Sequence, residues 1–309
     1  MRALLVVNPS ATTTTARARQ VLESALGAEV KLDVATTTHR GHAAELASSA
    51  QDDGYGAVVA LGGDGTVNEV ADGLLRRSPH GGEADDLPAL GVVPGGSTNV
   101  FARAVGVAND PIEATGQLLE ALRQERTRTV GVGRADDRVF LFNAGLGVDA
   151  EVVARVEARR AEGSRASNGL YFRQAVRHLL HGVERRTPPL VVRVGEQPPR
   201  QVFAALVTNT TPWTYLAGRP VTATPQSRFE LGLDVVTLGS LHLLPTLRTT
   251  VQMLGTRGPR GRSVVLDHDV RRVVLAAREP VALQVDGDHL GAVDRVVVTA
   301  VPKALRVLV

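Results

Sequence analysis

The stretch Gly62–Thr66, GGDGT, puts three glycines and an acid directly after an apolar run. Glycines lack a Cβ atom and adopt positive φ, so backbone N–H groups in such a loop can approach a bulky anion. Thr66 and Glu69 have the spacing of a capping box, which predicts that a helix begins here and directs its partly positive N-terminus at that anion. The stretch is therefore a candidate phosphate site, although a plain turn with Asp64 as a cap would also explain these residues.

An acid beside a phosphate raises an electrostatic difficulty, because like charges repel. A divalent cation between Asp64 and the phosphate would remove it, and Mg²⁺ commonly bridges a carboxylate and substrate phosphates. Asp64 is accordingly a candidate metal ligand.

A second loop of similar design is found at Pro94–Asn99, PGGSTN, again between an apolar run and a helical pattern. Ser97 or Thr98 can cap the helix that follows. Two earlier apolar runs also end in polar residues, at Asn8–Thr12 and Thr36–Thr38. Two glycine-rich loops at neighbouring strand ends favour a nucleotide site, although neither GxxxxGK[ST] nor GxGxxG is present.

The elements that must position these loops alternate over the first 130 residues, where apolar runs of strand period precede segments of helical period. This alternation predicts a parallel sheet covered by helices, in which ligands bind at the carboxyl ends of the strands. After residue 130 the pattern is mostly strands, with helical insertions at 151–183 and 241–255. We expect a Rossmann-like α/β domain (1–130), an antiparallel β-sandwich (131–295) and a C-terminal segment (296–309) that returns to the first domain.

Composition narrows the functional classes. The 309 residues include no cysteine, which excludes disulfides and thiolate metal sites, and the net charge of +3 gives no reason to expect nucleic-acid binding. The start has no signal-like apolar core, and apolar runs fall short of the roughly 18 residues of a membrane span.

Residues 155–186 carry eight Arg and three Glu. A basic amphipathic helix there could lie on an anionic membrane surface or pack on the sandwich.

The segments LGGDGTVNEV and PGGSTNVFAR together resemble the diacylglycerol kinase catalytic domain family, which includes bacterial diacylglycerol kinases and sphingosine and ceramide kinases. VNPSA, TTHRGHAAELA, FNAGLGVDAEV and QVDGD resemble further family segments in the same order along the chain. The GGDGT loop alone is shared with NAD kinases and phosphofructokinases, whereas the full set is more specific.

The resemblance implies a kinase that binds ATP and Mg²⁺ in a crevice between the two domains and phosphorylates a lipid hydroxyl. Asp64 would take part in the Mg²⁺ network. The implied nucleotide contacts are Asn8, Pro9, Ser10, Ala11, Thr12, Thr37, Gly62, Gly63, Asp64, Gly65, Thr66, Val67, Asn68, Glu69, Gly96, Ser97, Thr98 and Asn99.

The segment VALQVDGDHL alternates apolar and polar residues and contains Asp-Gly, a hairpin turn signal. A rigid hairpin tip can also carry the carboxylate that accepts the proton of an attacking hydroxyl. The resemblance places the catalytic base in this turn, with Asp286 favoured and Asp288 as the alternative. A plain structural turn accounts for the same residues.

Three positions depart from the family pattern. Val100 stands where many members have Asp, so an acid of the Mg²⁺ network is missing. Ala11 replaces the usual glycine of the first loop. Glu230–Gly232, ELG, replaces an Asp-Asp-Gly turn that binds a further metal in some bacterial members, so we predict no such site here.

The resulting hypothesis is a lipid kinase that converts diacylglycerol to phosphatidic acid, in the cytoplasm and peripherally at the inner face of the membrane. A homodimer is compatible with the sequence. One alternative is an NAD kinase-like phosphotransferase, against which the second glycine loop argues. The other is a lipid- or nucleotide-binding protein without catalysis, which Val100 favours and the intact Asp64 and Asp286 oppose.

Overall fold

The computed structural model describes residues 1–11, 16–76, 84–147 and 188–309, so Thr12 and the Arg-rich residues 155–186 lie outside the described residues. Two compact units divide the chain. The N-terminal unit comprises residues 1–132 and 301–309, and the β unit comprises residues 133–300. In the described ranges, no helix has both the length and the hydropathy needed to cross a bilayer.

The N-terminal unit is built on a parallel sheet of order β4-β3-β1-β2. The last strand of the chain also pairs with β4 in parallel, through Val307 and Leu90. All six positions of β3 and of β4 are buried, as expected for parallel strands covered on both faces. The four strands are β1 (Arg2–Val7), β2 (Lys31–Thr36), β3 (Ala57–Gly62) and β4 (Ala89–Pro94).

Five helices and a short 3₁₀ turn (Ala84–Asp86) are described in this unit. One hydrophobic cluster joins Leu22 and Leu26 of the first helix and Leu118 of the fifth to the strands of the sheet. The helices are α1 (Ala16–Glu29), α2 (His42–Ser49), α3 (Asp64–Leu75), α4 (Val100–Ala104) and α5 (Pro111–Arg123). The predicted α/β alternation is confirmed.

The β unit is antiparallel in every strand pair described within it. The strands are β5 (Thr127–Ala135), β6 (Arg138–Phe140), β7 (Asn143–Gly147), β8 (Leu190–Val194), β9 (Arg200–Val202), β10 (Ala204–Thr208), β11 (Thr214–Leu216), β12 (Arg219–Val221), β13 (Leu233–Leu238), β14 (Val264–Val270), β15 (Arg272–Val285) and β16 (Asp288–Leu308), with β5 and β16 also extending into residues of the N-terminal unit. A helix, α6 (Leu243–Met253), lies within the second predicted insertion.

Strand β15 connects the two layers of this unit. Its first half pairs with β8 and its last residues pair with β7, and the pairing with β16 is irregular between Ala276 and Val281. Leu190 and Val192 of β8 share one buried cluster with Leu146 of β7 and Val207 of β10. This shared core confirms the predicted sandwich.

The apolar residues of the segment 137–145, DRVFLFNAG, predict a single strand, and this prediction is wrong. The structure divides it into β6 and β7, with Leu141 and Phe142 between them. The backbone N–H groups of Leu141 and Phe142 donate to the carboxylate of Asp286. The Asp286 side chain thus accepts hydrogen bonds from backbone N–H groups that, in a continuous strand, would donate to a neighbouring strand.

Candidate functional site

The two glycine-rich loops of the N-terminal unit are in backbone contact. Because β3 pairs with β4 in register up to Gly62 and Pro94, the loops leave the sheet side by side, and Gly95 N donates to Gly62 O at 2.7 Å. A Cβ atom on Gly96 would lie 2.8 Å from Gly63 Cα. The expectation of positive φ is wrong for Gly63, whose φ is −83°. This glycine is needed for close approach of one loop to the other.

The helix after the first loop begins earlier than the capping-box spacing predicts. Helix α3 starts at Asp64, has Gly63 as its N-cap and receives no side-chain cap. Thr66 Oγ1 instead accepts a hydrogen bond from Asn8 Nδ2 at 2.9 Å, and Glu69 Oε1 accepts from the backbone N of Gly41 at 2.8 Å. The helix N-terminus therefore keeps the uncapped form that suits an anion.

Asp64 connects the two loops through its carboxylate. Oδ1 accepts from Phe101 N, and Oδ2 accepts from Thr98 Oγ1, each at 3.2 Å. Burial raises the pKa of Asp64, and the hydrogen bonds from the backbone of Val100 and Phe101 and from Thr98 oppose that rise. The carboxylate is thereby oriented by the loop of the neighbouring strand.

The helix after the second loop is also capped differently from the prediction. Its N-cap is Asn99, at φ 48°, without a side-chain cap from that residue, and neither Ser97 nor Thr98 fills the role. Asp64 accepts from the first turn of α4 instead. Asn99 Oδ1 accepts from Gly96 N at 2.9 Å and Nδ2 donates to Gly96 O at 2.8 Å, so this side chain shapes the loop.

The end of β1 joins the same edge of the sheet. Asn8 N donates to Leu61 O at 3.0 Å, Asn8 Oδ1 accepts from Ser10 N at 2.9 Å, and Thr37 N donates to Val7 O at 2.9 Å. Among the other predicted contacts, Pro9, Ser10 and Ser97 are exposed, whereas Ala11, Thr37 and Gly65 are half-buried and Val67 and Asn68 are buried. The described residues of the predicted nucleotide site thus lie on the loops and helix ends at one edge of the sheet.

A cluster of metal-ligating types follows β2 at the start of α2. Ligand atoms of His39, His42 and Glu45 lie within 4.8 Å of one another, and the two imidazole rings stack. His42 Nδ1 accepts from Thr38 N at 3.2 Å, so this nitrogen already caps the turn before the helix.

In the β unit, the Asp-Gly turn has the form that the sequence predicts. Asp286 and Gly287 have φ 49° and 83°, as a two-residue hairpin requires. The Asp286 carboxylate is buried and accepts from Leu141 N at 2.7 Å, Phe142 N at 3.0 Å and Asn143 N at 2.9 Å. Asp288, at the start of β16, is half-buried. The two candidate bases therefore differ in how far their carboxylates are enclosed.

Three buried amide side chains support this turn and were missed by sequence reasoning. Asn143 Oδ1 accepts from Gln284 Nε2 at 2.6 Å, and Gln284 Oε1 accepts from Gly287 N at 2.9 Å. Asn209 Nδ2 donates to Leu141 O at 2.8 Å. Their only sequence signal is that each is an uncharged polar residue within or next to an apolar strand.

The surroundings of two of the positions that depart from the family pattern are described by the structure. Val100 is buried in the first turn of α4. Gly232 N, in the stretch Glu230–Gly232, donates to Asp269 Oδ1 at 2.7 Å. Close to it, Asp234 accepts from the His268 ring, and burial raises the pKa of Asp234.

Comparison with known proteins gives a family match over part of the chain. Residues 2–135 match the sequence profile of the family described as Diacylglycerol kinase catalytic domain. A protein named Probable lipid kinase YegS-like from Chromohalobacter salexigens is 37% identical over 121 residues, which cover 39% of this chain and 36% of that protein. The predicted resemblance is confirmed over these N-terminal residues.

A second curated relative has a similar extent of match. It is named Diacylglycerol kinase, from Bacillus subtilis, and is 33% identical over 129 residues, which cover 41% of this chain and 39% of the relative. The matches thus span little more than a third of the length of these relatives.

The fold is similar to solved structures over nearly the whole chain. A crystal structure described as a diacylglycerol kinase from Bacillus anthracis superposes with a TM-score of 0.72 and 18% identity, covering 99% of this chain and 96% of that one. At this identity the similarity concerns the fold.

Proposed function

Because residues 2–135 match the diacylglycerol kinase catalytic domain family, we propose that this chain is a lipid kinase that uses ATP and Mg²⁺. The acceptor we propose is the hydroxyl of diacylglycerol, which gives phosphatidic acid. The observation that carries the proposal is the pair of glycine loops, in which Asp64 at the first loop is hydrogen-bonded to Thr98 of the second and to Phe101 of the helix that follows.

The uncapped start of α3 is the proposed phosphate site. Its first backbone N–H groups have no partner within the helix, and no side chain of the described residues caps them. An anion placed there also gains from the helix dipole. Replacement of the flanking glycine Gly63 would disturb this site, because Gly96 lies directly against it.

The donor set of this loop fits Mg²⁺. Asp64 offers carboxylate oxygens, which are the ligand type that Mg²⁺ prefers, and Mg²⁺ commonly uses one or two carboxylates together with substrate phosphates. When bound, the cation would neutralise charge on the transferring phosphoryl group. The contacts from Thr98 and Phe101 hold Asp64 in one orientation.

For the proton of the lipid hydroxyl, the geometry favours Asp288 over Asp286. The Asp286 carboxylate is enclosed by three backbone N–H donors, so it is a poor proton acceptor and well suited to fixing the turn. Asp288 follows the turn directly and is more exposed. We therefore assign Asp288 as the proposed base and Asp286 as a positioning residue.

The test is phosphoryl transfer from labelled ATP to a panel of diacylglycerol, monoacylglycerol, sphingosine, ceramide and NAD. Labelled phosphatidic acid is the expected product. Label in NAD would support the soluble phosphotransferase alternative, and no labelled product across the lipids would support a binding protein.

The same assay tests the base. Asp288→Asn should lower kcat about a thousandfold, as expected on loss of a general base. The matched control is Asp294→Asn, which alters an exposed acid on the same strand and should leave kcat unchanged. Equal activity of Asp288→Asn and the wild type would refute this assignment.

A further inference from the structure

Helix α6 exposes an apolar face. Leu244, Leu247 and Val251 are 78%, 58% and 60% exposed, and their spacing of three and four residues places them on one side of the helix. Leu254, the residue after the helix, is 51% exposed and extends the same side. These four residues are called the α6 ridge.

The opposite side of α6 faces the protein with two threonines and with Met253, which packs against a small hydrophobic cluster. Thr246 and Thr249 are 7% and 6% exposed. Thr246 Oγ1 donates to His242 O at 2.9 Å, and Thr250 Oγ1 donates to Thr246 O at 3.0 Å. Because the helix backbone accepts a hydrogen bond from the Thr246 hydroxyl, this buried threonine packs inward without an unpaired donor. The helix is therefore stable in an orientation that leaves its apolar side chains outside.

The ridge belongs to a local concentration of exposed apolar residues. Of the twelve large apolar side chains that are exposed in the described ranges, six fall between residues 244 and 266. The two that do not belong to the ridge are Val265 and Leu266 of β14, at the edge of the sheet. A grouping of this kind is typical of an interaction surface, whereas apolar residues scattered singly are ordinary.

The charge around the ridge has one sign. Residues 240–266 contain four arginines and neither Asp nor Glu. The four, Arg248, Arg257, Arg260 and Arg262, are all exposed. Arg248 lies on α6 beside the ridge, and Arg257 and Arg260 line an open pocket of about 510 Å³ at the end of the helix. The partner that complements this surface is therefore apolar and anionic together.

We propose that the α6 ridge and its four arginines dock the protein on an anionic lipid bilayer. Leucine and valine side chains on one helical face can enter the boundary between headgroups and acyl chains. Arginines beside them can pair with lipid phosphates, and cations near an anionic leaflet are attracted to it.

A second copy of the chain is a poorer occupant. A two-fold interface through the α6 ridge would bring the same patch of each copy together, because such interfaces are self-complementary. Four arginines of each copy would then face one another without acids between them, and like charges across an interface oppose association. A bilayer supplies the opposite charge instead.

Docking on a bilayer rests on the proposed function, because a lipid kinase must reach an acceptor that lies within a membrane. Binding to vesicles can nevertheless be measured without turnover. Failure of the kinase assay would leave a positive binding result standing, and failure of binding would leave turnover of a dispersed short-chain diacylglycerol untouched.

The experiment measures flotation of the full chain with vesicles of phosphatidylcholine alone or mixed with phosphatidylglycerol. The wild type should bind the mixed vesicles and lose binding as salt is raised. Leu244→Gln with Leu247→Gln should weaken binding about tenfold or more. Val21→Gln with Ile112→Gln, a matched pair of exposed apolar residues in the N-terminal unit, should change nothing.

A second pair of variants tests the charge. Arg248→Gln with Arg257→Gln should weaken binding to the mixed vesicles by about fivefold for each arginine removed. The control is Lys31→Gln with Lys303→Gln, which removes two exposed cations of the N-terminal unit. The ridge variants should retain turnover of short-chain diacylglycerol and lose turnover of the same lipid in vesicles.

The proposal is overturned if the ridge and arginine variants bind mixed vesicles as the wild type does. It is also overturned if the ridge variant changes the sedimentation mass from dimer to monomer while vesicle binding is unchanged, which would assign the surface to a second copy.

Discussion

Asp64 and Asp286 both lie next to glycine, and both carboxylates accept hydrogen bonds from backbone N–H groups of a distant segment. They differ in what the glycine does and in how far the acid is enclosed. Gly63 has negative φ and permits contact with Gly96, whereas Gly287 has positive φ and permits the hairpin. Asp64 is half-buried, and Asp286 is buried, with 5% of its surface exposed. A motif of Asp and Gly can therefore build either a site or a support.

The largest effect is expected when Asp286, which supports the hairpin turn, is replaced. Asp286→Ala would leave the N–H groups of residues 141–143 without their acceptor, and we expect a loss of about 4 kcal/mol in the free energy of unfolding. Urea denaturation of the full chain measures it. Asp294→Ala, on the exposed part of β16, is the control and should be near neutral. A similarly small loss for Asp286→Ala would mean that the enclosed acid does not hold the turn.

Replacement of Asp64 should have the opposite pattern, with a large effect on activity and little effect on stability. Asp64→Asn removes a carboxyl group whose pKa is raised by burial, and it keeps an oxygen that can accept a hydrogen bond from Phe101 N. We expect unchanged or slightly higher stability and a loss of about a hundredfold in kcat. Paired measurements of unfolding and of phosphoryl transfer check this. A variant that is unstable yet active would reverse the roles given to the two acids.

The role of glycine can be tested at Gly96. Its added Cβ would meet Gly63 Cα at 2.8 Å, so Gly96→Ala should cost about 2 kcal/mol through overpacking. The matched control is Gly116→Ala in α5, where a Cβ meets open space and should stabilise the helix by about 0.8 kcal/mol. The opposite signs of these two changes would be seen in thermal unfolding. Tolerance of alanine at Gly96 would show that the two loops can separate.

The smallest effect is expected from removal of a single hydrogen bond to Asp64. Thr98→Val keeps the shape of the side chain and removes its donation to Asp64, for a loss of about 1 kcal/mol. We expect kcat to fall several-fold, because Asp64 loses one of the hydrogen bonds that orient its carboxylate. Thr127→Val, the matched control, removes an exposed hydroxyl at the start of β5 and should leave both quantities as they are. An identical response of the two variants would remove Thr98 from the positioning of Asp64.

Much of the scaffold follows from local patterns in the sequence. The alternation of periods predicts the parallel sheet, and parallel order then places the glycine loops at one edge. Asp-Gly between alternating residues predicts the two-residue hairpin. These inferences succeed because they depend on neighbours in the chain or on the shared direction of the strands.

The hydrogen-bond partners of the two acids could not be predicted in this way. Thr66 and Glu69 suggest a capping box, yet their side chains bond to Asn8 and Gly41, which are distant in the sequence. The division of residues 137–145 into β6 and β7 depends on Asp286 in the same way. Side-chain acceptors that reach across the fold carry no local pattern, so only the assembled structure reveals them.

The contact between Asp286 and Leu141 has a consequence for the order in which the protein matures. The two residues are 145 positions apart, whereas Asp64 and Phe101 are separated by 37. At ordinary rates of translation, roughly 7 to 30 seconds pass between synthesis of the two ends of the longer contact. Closing a longer loop also has a larger entropic cost. The glycine loops can therefore meet early on the ribosome, while the segment around Leu141 must wait for Asp286 to be made.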